Sequence, residues 1–371
     1  MKQYKVLLHG YFQHNLGDDL FFRAIATRYP DVKFYIPILT SGYKEKFKDL
    51  PNIVVVDFWG IAKYVHHKTY ILPKFYSCIT MSRYDAVVCI GGSLFMDRKN
   101  PTKNDVIEIE NYSFIADWEW AYKKGVPYFV IGANWGPVYN EFFEQYFTRA
   151  IKTLHDLCFR DSASYNHFKN MPNVRRSGDI LLGNPMIKQA VTGVEKKRKV
   201  AISVVNARFK NEIVTDADLY EQKISEWATE LINDGYEVFF MSFCKAEGDE
   251  EAIRRIAQQM PSNKGIRVLC YNHNWQEMLN NMAESEFILA SRFHATVLGW
   301  TVGTPVYSLA YSLKTLNLLK DCMAERSCSL INNIEKISVS EIKKQAYLLK
   351  NVEVVGGAND AFSNLDMLLS K

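Results

Sequence analysis

The sequence lacks any apolar run of the length, about 18 to 20 residues, that a membrane-spanning helix needs. Its N-terminus, MKQYKVLLHGYF, has too short an apolar stretch for a signal peptide and no small-residue cleavage site, so it is typical of a first β-strand. Seven scattered cysteines form no CxxC pair, which favours reduced thiols over a disulfide framework or a zinc site. These absences predict a cytoplasmic protein without a transmembrane segment, and they leave peripheral membrane association open.

A large excess of charge of one sign is also missing. The net charge is +4 over 371 residues, far below the density expected of a dedicated nucleic-acid binder. The chain shows no fixed-period repeat, no GxGxxG fingerprint and no spacing typical of metal ligands. Hydrophobic residues make up 48% and charged residues 23%, as in an ordinary soluble globular protein. A mild basic balance is compatible with an anionic small substrate.

Short apolar stretches alternate with longer amphipathic ones along the chain. This alternation predicts βαβ units with parallel sheets and helices on both faces. The predicted strands are Tyr4–His9, Lys33–Ile36, Ile53–Val56, Ala86–Ile90, Tyr128–Ile131, Leu157–Phe159, Val200–Val205, Glu237–Ser242, Arg267–Cys270, Phe287–Ala290 and Pro305–Leu309. The predicted helices are Asp18–Tyr29, Tyr112–Lys124, Glu141–His155, Asp216–Asp234, Asp249–Gln259 and Asn274–Ala283.

The pattern breaks at Asn184–Lys199, where a proline, a glycine and the run EKKRK form a polar connector. We therefore predict two Rossmann-like domains, residues 1–190 and 191–371, with an interdomain cleft. The tail, Asp360–Ser370, is predicted to be a helix that packs back on the N-terminal domain.

Ligands of open parallel sheets bind where the strands end, so the residues after each predicted strand are candidates for a site. The first strand is followed by HGYFQHNLGDDL, with Asn15 inside the loop and Asp18 as a cap for the next helix or a functional acid. Gly91 and Gly92 follow the fourth strand, and either let backbone N–H groups approach a ligand or allow a tight turn. Asn134 lies in the loop GANWGP after the fifth strand.

Three cations and a histidine follow strands of the second half. Arg208 comes shortly after Val200–Val205, Arg292 and His294 follow the apolar run EFILA, and Lys314 follows PVYSLAY. Each has a structural alternative, since arginines of loops are often solvated and lone histidines are more often structural than catalytic. Together, beside a helix that begins near Phe293, they predict an anion site for a phosphate or carboxylate.

The segments HNLGDDL, CIGGSLFMD, IGANWGP, FRDSASY and SRFHATVLGWTVGTPVYSLAYSLKT occur in this order. In this the sequence resembles the polysaccharide pyruvyl transferase family, whose members transfer pyruvate from phosphoenolpyruvate to sugar hydroxyls as a ketal. The resemblance implies a GT-B-like architecture, with phosphoenolpyruvate on the C-terminal domain and the acceptor on the N-terminal one. It also implies that His294 is the general acid and that Arg208 holds phosphoenolpyruvate, while Arg292 and Lys314 match motif positions.

Such a reaction would need no cofactor and no metal, with phosphoenolpyruvate as co-substrate and a sugar or lipid-linked oligosaccharide as acceptor. Histidine suits the proton transfer to the methylene carbon, and Asp18 or Asp19 is the candidate base for the hydroxyls. Two alternatives stay open at this point. One is a nucleotide-sugar glycosyltransferase on the same fold, and the other is a non-catalytic protein that binds glycans or anions through its aromatic residues.

Overall fold

The computed structural model describes residues 2–58, 71–97, 117–262, 264–348 and 361–369. The chain divides into two compact units. The first unit comprises Met1–Phe12, Phe21–Ile180 and Gly356–Lys371, and the second comprises Gln13–Leu20 and Leu181–Val355. These units differ from the predicted domains in three places. The division falls after Ile180, before residue 190, an early segment of the chain belongs with the C-terminal half, and Gly356–Lys371 belongs with the N-terminal half.

The sheet of the first unit has seven parallel strands in the order β3-β2-β1-β4-β5-β6-β7. All five residues of the central strand β4 are buried, which is typical of a parallel strand covered on both faces. The strands are β1 Lys5–His9, β2 Lys33–Ile38, β3 Ile53–Asp57, β4 Ala86–Ile90, β5 Tyr128–Ala133, β6 Asp156–Phe159 and β7 Val174–Arg176.

Helices follow most of these strands, as the alternating pattern predicts. They are α1 Leu16–Arg28, α2 Tyr43–Lys46, α3 Ile71–Thr80, α4 Trp118–Lys124, α5 Glu141–Thr153 and α6 Ser162–Phe168. Helix α5 is an example. The side chain of Asn140 caps it by accepting from the N–H of Phe142, and its buried apolar residues lie on one stripe of the helix.

The sheet of the second unit has six parallel strands in the order β10-β9-β8-β11-β12-β13. Its strands are β8 Lys199–Ser203, β9 Glu237–Ser242, β10 Ile266–Cys270, β11 Phe287–Ala290, β12 Val306–Ala310 and β13 Cys328–Leu330. Its helices are α7 Pro185–Ala190, α8 Ala217–Asn233, α9 Asp249–Gln259, α10 Trp275–Glu284, α11 Phe293–Thr301, α12 Leu313–Asp321 and α13 Val339–Tyr347. One core lies between the sheet and α8, and the indole of Trp227 in it donates to the carbonyl of Ile337 at 3.1 Å.

The prediction of two parallel α/β sheets is confirmed, and eleven predicted strands form close to their predicted positions. The pattern missed β7 and β13, which have three residues each and give too short an alternation to recognise. The connector predicted at Asn184–Lys199 contains helix α7, because Asn184 caps it and Pro185 occupies its first position.

Two predicted helices extend beyond the residues that the structure describes. Positions 112–116 of the predicted helix Tyr112–Lys124 lie outside them, and α4 begins at Trp118. In the tail, a last helix, α14, spans Ser363–Leu369, while positions 360 and 370 lie outside the described residues. Within the first unit, Asp366 of α14 accepts hydrogen bonds from Arg28 Nε at 3.0 Å and from the Tyr29 hydroxyl at 2.7 Å.

Across the described ranges, no helix combines the length and the apolar character that crossing a bilayer requires. The seven cysteines, all of which are described, are free thiols. In the same ranges, no group of three or more histidine, cysteine, aspartate or glutamate side chains is arranged to hold a metal ion.

Candidate functional site

The predicted cations of the second unit follow three strands that are neighbours in its sheet. Arg208 lies in a 3-10 turn, Ala207–Phe209, shortly after β8, and β8 pairs with β11, which pairs with β12. Helices α11 and α12 begin at Phe293 and Leu313, so His294 and Lys314 are each the second residue of a helix. Four of the predicted residues therefore lie at one edge of this sheet. The N-terminal N–H groups of the two helices that begin there favour anions.

Arg292 is buried at this edge, and its guanidinium is directed at carboxylates of the chain itself. Its Nε donates to Asp249 Oδ2 at 3.1 Å, its Nη2 also bonds Asp249, and its Nη1 donates to Glu247 Oε2 at 2.6 Å. Lys210 Nζ donates to the same Glu247 oxygen at 2.6 Å. We call Lys210, Glu247, Asp249 and Arg292 the charge tetrad. Its two positive and two negative groups balance, so Arg292 organises the edge rather than adding net charge to it.

The surroundings of the charge tetrad favour the charged forms of Glu247, Arg292 and Lys210, whereas burial raises the pKa of Asp249 above its ordinary value. Burial by itself would raise the pKa of Glu247, but the Arg292 and Lys210 charges outweigh it and hold that pKa well below its usual range. Burial opposes the charge of Arg292, yet Asp249 and Glu247 raise its pKa above the ordinary arginine value. Glu247, Arg292 and Lys210 therefore stay ionised at neutral pH, and the Arg292 charge opposes the rise in the pKa of Asp249.

The ring of His294 packs against Gly17, a residue far from it in sequence but in the same unit. An ideal Cβ atom on Gly17 would lie 2.6 Å from Cε1 of the imidazole and closer still to its Nδ1 and Cγ. Real Cβ contacts are essentially never that short. The half-buried imidazole thus lies directly on the backbone at the start of α1.

Asn15, and not Asp18, caps helix α1. The amide oxygen of Asn15 accepts from the N–H of Gly17 at 3.0 Å, and the helix begins at Leu16. The sequence analysis placed the helix start at Asp18, but the chain turns into the helix earlier, and Asp18 lies in the first turn, where its charge complements the helix dipole. Asp18 is half-buried.

The first turn of α1 belongs to the second unit, and two buried hydrogen bonds join it to the rest of that unit. The N–H of Leu16 donates to the carbonyl of Phe243 at 3.0 Å. The hydroxyl of Tyr271 donates to Asp19 Oδ2 at 2.8 Å, and both of those side chains are almost fully buried. Asp19, one of the two candidate bases, is therefore a structural anchor, and Asp18 is the better placed of the two to meet a ligand.

Arg208 differs from Arg292 in being accessible. Its side chain is 42% exposed, and it bonds Asp218 Oδ1 at 2.6 Å and Glu221 Oε2 at 3.3 Å. Hydrogen bonds to Glu221 and Asp218 raise its pKa above the ordinary arginine value. An exposed guanidinium can exchange such partners for an anionic ligand at little cost. Lys314 is half-buried at the start of α12.

The predicted residues of the first unit surround a buried arginine that the sequence analysis did not select. Arg160 Nη1 donates to Asp179 at 2.9 Å, and its Nη2 donates to the amide oxygen of Asn134 at 2.8 Å. The N–H of Asn134 donates to the carbonyl of Gly92 at 2.8 Å. A Cβ atom on Gly92 would collide with the Arg160 guanidinium, while Gly91 has a φ of 137° that disfavours other residues.

The loops with Gly92 and Asn134 therefore contact a guanidinium of the chain itself. Neither interpretation of Gly92 from the sequence, a close approach to a ligand or a tight turn, predicted this contact. The structure brings Gly92 and Asn134 into one cluster at the ends of β4 and β5, and it places Asn15, His294, Arg208, Arg292 and Lys314 in the second unit.

Sequence reasoning missed Lys210, Glu247, Asp249 and Arg160. The same strand-edge rule would have found three of them, because Glu247 and Asp249 follow β9 in SFCKAEGDE and Arg160 follows β6 directly. A second missed contact lies at the end of β1, where His9 Nε2 is 2.9 Å from Asp117 Oδ2. No local pattern predicts this pair, because Asp117 comes from a distant part of the chain.

A model of the polysaccharide pyruvyl transferase family matches residues 15–312 of this chain. The amylovoran biosynthesis protein AmsJ of Erwinia amylovora is 22% identical over 334 residues, which cover 84% of this chain and 76% of that protein. Among solved structures, UDP-GlcNAc 2-epimerase from Neisseria meningitidis bound to UDP-GlcNAc matches with a TM-score of 0.63 at 12% identity, over 99% of this chain and 100% of that one. The S. aureus MnaA-UDP co-structure gives 0.62 at 11% identity, over 99% and 95%.

At such low identities the structural matches show the fold alone, and they confirm the predicted GT-B-like α/β architecture. The family match covers far more than half of the sequence and includes Asn15, Gly17, Arg208, Arg292 and His294. The chain belongs to the polysaccharide pyruvyl transferase family.

Proposed function

We propose that this protein transfers pyruvate from phosphoenolpyruvate to hydroxyls of a sugar, in a polysaccharide or its lipid-linked precursor, and so forms a pyruvate ketal. Family membership supports the reaction class, and a relative named for amylovoran biosynthesis supports a role in exopolysaccharide synthesis. One observation carries the proposal furthest: His294 lies at the start of α11, on a sheet edge where Arg208 and Lys314 follow the flanking strands.

His294 serves as the general acid in this scheme. It gives its proton to the methylene carbon of phosphoenolpyruvate, and the π electrons that form the new C–H bond leave positive charge on the adjacent carbon. A sugar hydroxyl forms a C–O bond to that carbon and loses its proton to a base. A second hydroxyl closes the ketal as the C–O bond to phosphate breaks, and its proton leaves with the inorganic phosphate. Imidazole suits the first step because its protonation changes near neutral pH.

Arg208 and Lys314 hold the phosphate and carboxylate of phosphoenolpyruvate. The planar fork of Arg208 matches either group bidentately, and its accessible side chain is free to reorient toward a ligand. Arg292 acts on the ligand only indirectly, because its bonds within the charge tetrad hold it in place at the N-cap of α11. Asp18, half-buried in the first turn of α1, is the proposed base.

The acceptor is a sugar or a lipid-linked oligosaccharide, and the loops with Gly91, Gly92 and Asn134 are proposed to face it. The scheme uses no cofactor and no metal, and the reaction takes place in the cytoplasm. Nothing in it calls for nucleic acid, and peripheral association with a membrane would suit a lipid-linked acceptor.

The proposal is tested by phosphate release from phosphoenolpyruvate in the presence of a panel of p-nitrophenyl glycosides. We expect His294→Ala to lose roughly 100- to 10,000-fold in rate, the usual contribution of a positioned proton transfer, while its thermal unfolding stays close to that of the parent protein. His155→Ala is the matched control, because His155 is exposed in the first unit.

Four outcomes would contradict the proposal. Parental turnover in His294→Ala removes this histidine from the chemistry. A loss of melting temperature with residual activity that follows the folded fraction makes it a structural residue. Turnover of nucleotide sugars in place of phosphoenolpyruvate would identify a glycosyltransferase, and binding of glycans without phosphate release would identify a binding protein.

A further inference from the structure

We propose that Gly17 is a positioning residue for His294, so that segment Gln13–Leu20 sets the orientation of the acid's ring. The proposal rests on the function proposed above, because it takes His294 as the general acid. The segment comes from the start of the chain but belongs to the second unit, together with His294. We call Gln13–Leu20 the backing segment.

The first argument is the reason for a glycine at this position. Gly17 is the second residue of helix α1, where alanine would be favoured by about 1 kcal/mol on helix propensity. Its φ is not among the positive values found at eleven other glycines, so its backbone conformation would suit any residue. A residue with a side chain would not fit the space at this position, because its Cβ atom would overlap three atoms of the His294 ring. The glycine is explained by the imidazole.

The second argument is that the backing segment is held firmly, so a clash would displace the ring and not the segment. Leu16 is bonded to the backbone of Phe243, and Asp19 is bonded to the Tyr271 hydroxyl in a buried environment. Asn15 also caps the first turn of the helix, since its amide oxygen accepts from the N–H of Gly17. Two hydrogen bonds therefore hold the backing segment against the rest of the unit, and the Asn15 cap fixes the backbone at Gly17 within it.

From these two points, a methyl group at position 17 rotates or pushes the imidazole away from its present position. A displacement of about 1 Å in a reacting group can cost on the order of 100-fold in rate. Binding of phosphoenolpyruvate through Arg208 and Lys314 does not involve Gly17, so the expected loss is in kcat and not in KM.

The experiment is a double-mutant cycle on the full-length protein with Gly17→Ala, His294→Gln and the double variant. We expect Gly17→Ala to lower kcat roughly 100-fold, with the KM for phosphoenolpyruvate within about threefold of the parent value. In the His294→Gln background the same change should have almost no further effect, because a residue that acts through His294 has nothing left to position. Gln258→Ala is the control, since Gln258 is exposed on helix α9 of the same unit.

A second readout does not depend on turnover. In protein labelled with ¹³C at histidine Cε1, the His294 resonance, assigned by its loss in His294→Gln, should shift in Gly17→Ala and stay in place in Gln258→Ala. An unshifted resonance and a parental kcat in Gly17→Ala overturn the proposal. Additive losses in the cycle also overturn it, because they indicate a merely structural role.

Failure of the proposed function gives a different pattern, in which His294→Gln retains activity whatever happens at position 17. If Gly17→Ala does not fold, Tyr271→Phe decides instead. It removes the hydrogen bond to Asp19 and loosens the backing segment. We expect roughly a tenfold loss in kcat that disappears in the His294→Gln background, and a parental kcat in Tyr271→Phe overturns the proposal.

Discussion

Arg160 of the first unit and Arg292 of the second are both buried close to the end of a strand, and the two arginines have different partners. Arg160 follows β6 and donates to the buried Asp179 and to the neutral amide of Asn134. Arg292 follows β11 after one serine and is bonded to two carboxylates, one of which also bonds Lys210. Both arginines are almost fully buried.

The difference indicates what each arginine does for its sheet edge. In the first unit the guanidinium joins loops by pairing with a carboxylate and with the amide that belongs to one of them. In the second unit it belongs to a charge tetrad that is balanced without a ligand, so the proposed anion binding there depends on residues outside the tetrad. A buried arginine at a sheet edge is therefore not by itself evidence of a ligand site. The hydrogen-bond partners of its guanidinium determine whether it is available to a ligand.

The largest expected effect is on stability and compares the two buried aspartates. Asp179→Asn removes the carboxylate that is bonded to Arg160 Nη1, and breaking a buried ion pair in this way costs about 3 to 5 kcal/mol. Asp249→Asn should cost less, about 1 to 3 kcal/mol, because Glu247 still faces Arg292. Urea unfolding followed by circular dichroism measures both.

The exposed Asp218, changed to Asn, is the control for these two variants and should have little effect on stability. Equal losses for Asp179→Asn and Asp249→Asn would show that the second carboxylate does not support Arg292, and the comparison of the two arginines would then fail.

A smaller effect is expected at the third arginine of this set, which is accessible. Arg208→Ala should weaken phosphoenolpyruvate binding roughly 10- to 100-fold, the range for losing hydrogen bonds to a charged group, without a change in melting temperature. Arg208→Lys should recover part of the affinity, because the charge stays and the fork is lost. Calorimetry measures both affinities, and an unchanged affinity in Arg208→Ala would exclude Arg208 from the anion site.

The smallest effect concerns pH and the tetrad. The pKa of Glu247 in the folded protein lies below its unfolded value, so its contribution to stability is present above about pH 4.3 and is lost as the pH falls through the folded pKa. The melting temperature of Glu247→Gln should therefore fall less steeply below that pH than that of the parent protein. Glu226→Gln is the control, since that carboxylate is about half exposed and screened by water. Parallel curves for Glu247→Gln and the parent would contradict the tetrad's role.

Much of the second unit's edge was predictable because it depends on local order. The end of β11 and the start of α11 are adjacent in sequence, so Arg292 and His294 had to lie at a sheet edge once the strand was recognised. The short strands β7 and β13 were not predictable, since three residues carry too little alternation. The cap at Asn15 was missed because the pattern placed the start of α1 at Asp18.

The sequence by itself determined the two parallel α/β sheets and the strand ends at which Arg208, His294 and Lys314 lie, because apolar periodicity and turn residues act over a few positions. The tertiary structure alone decided that the backing segment joins the C-terminal half and that Gly17 meets His294. It also decided that the guanidinium of Arg292 is bonded to Glu247 and Asp249. These contacts join parts of the chain that are distant in sequence, and they form because the packing of the second unit brings together surfaces that no local pattern encodes.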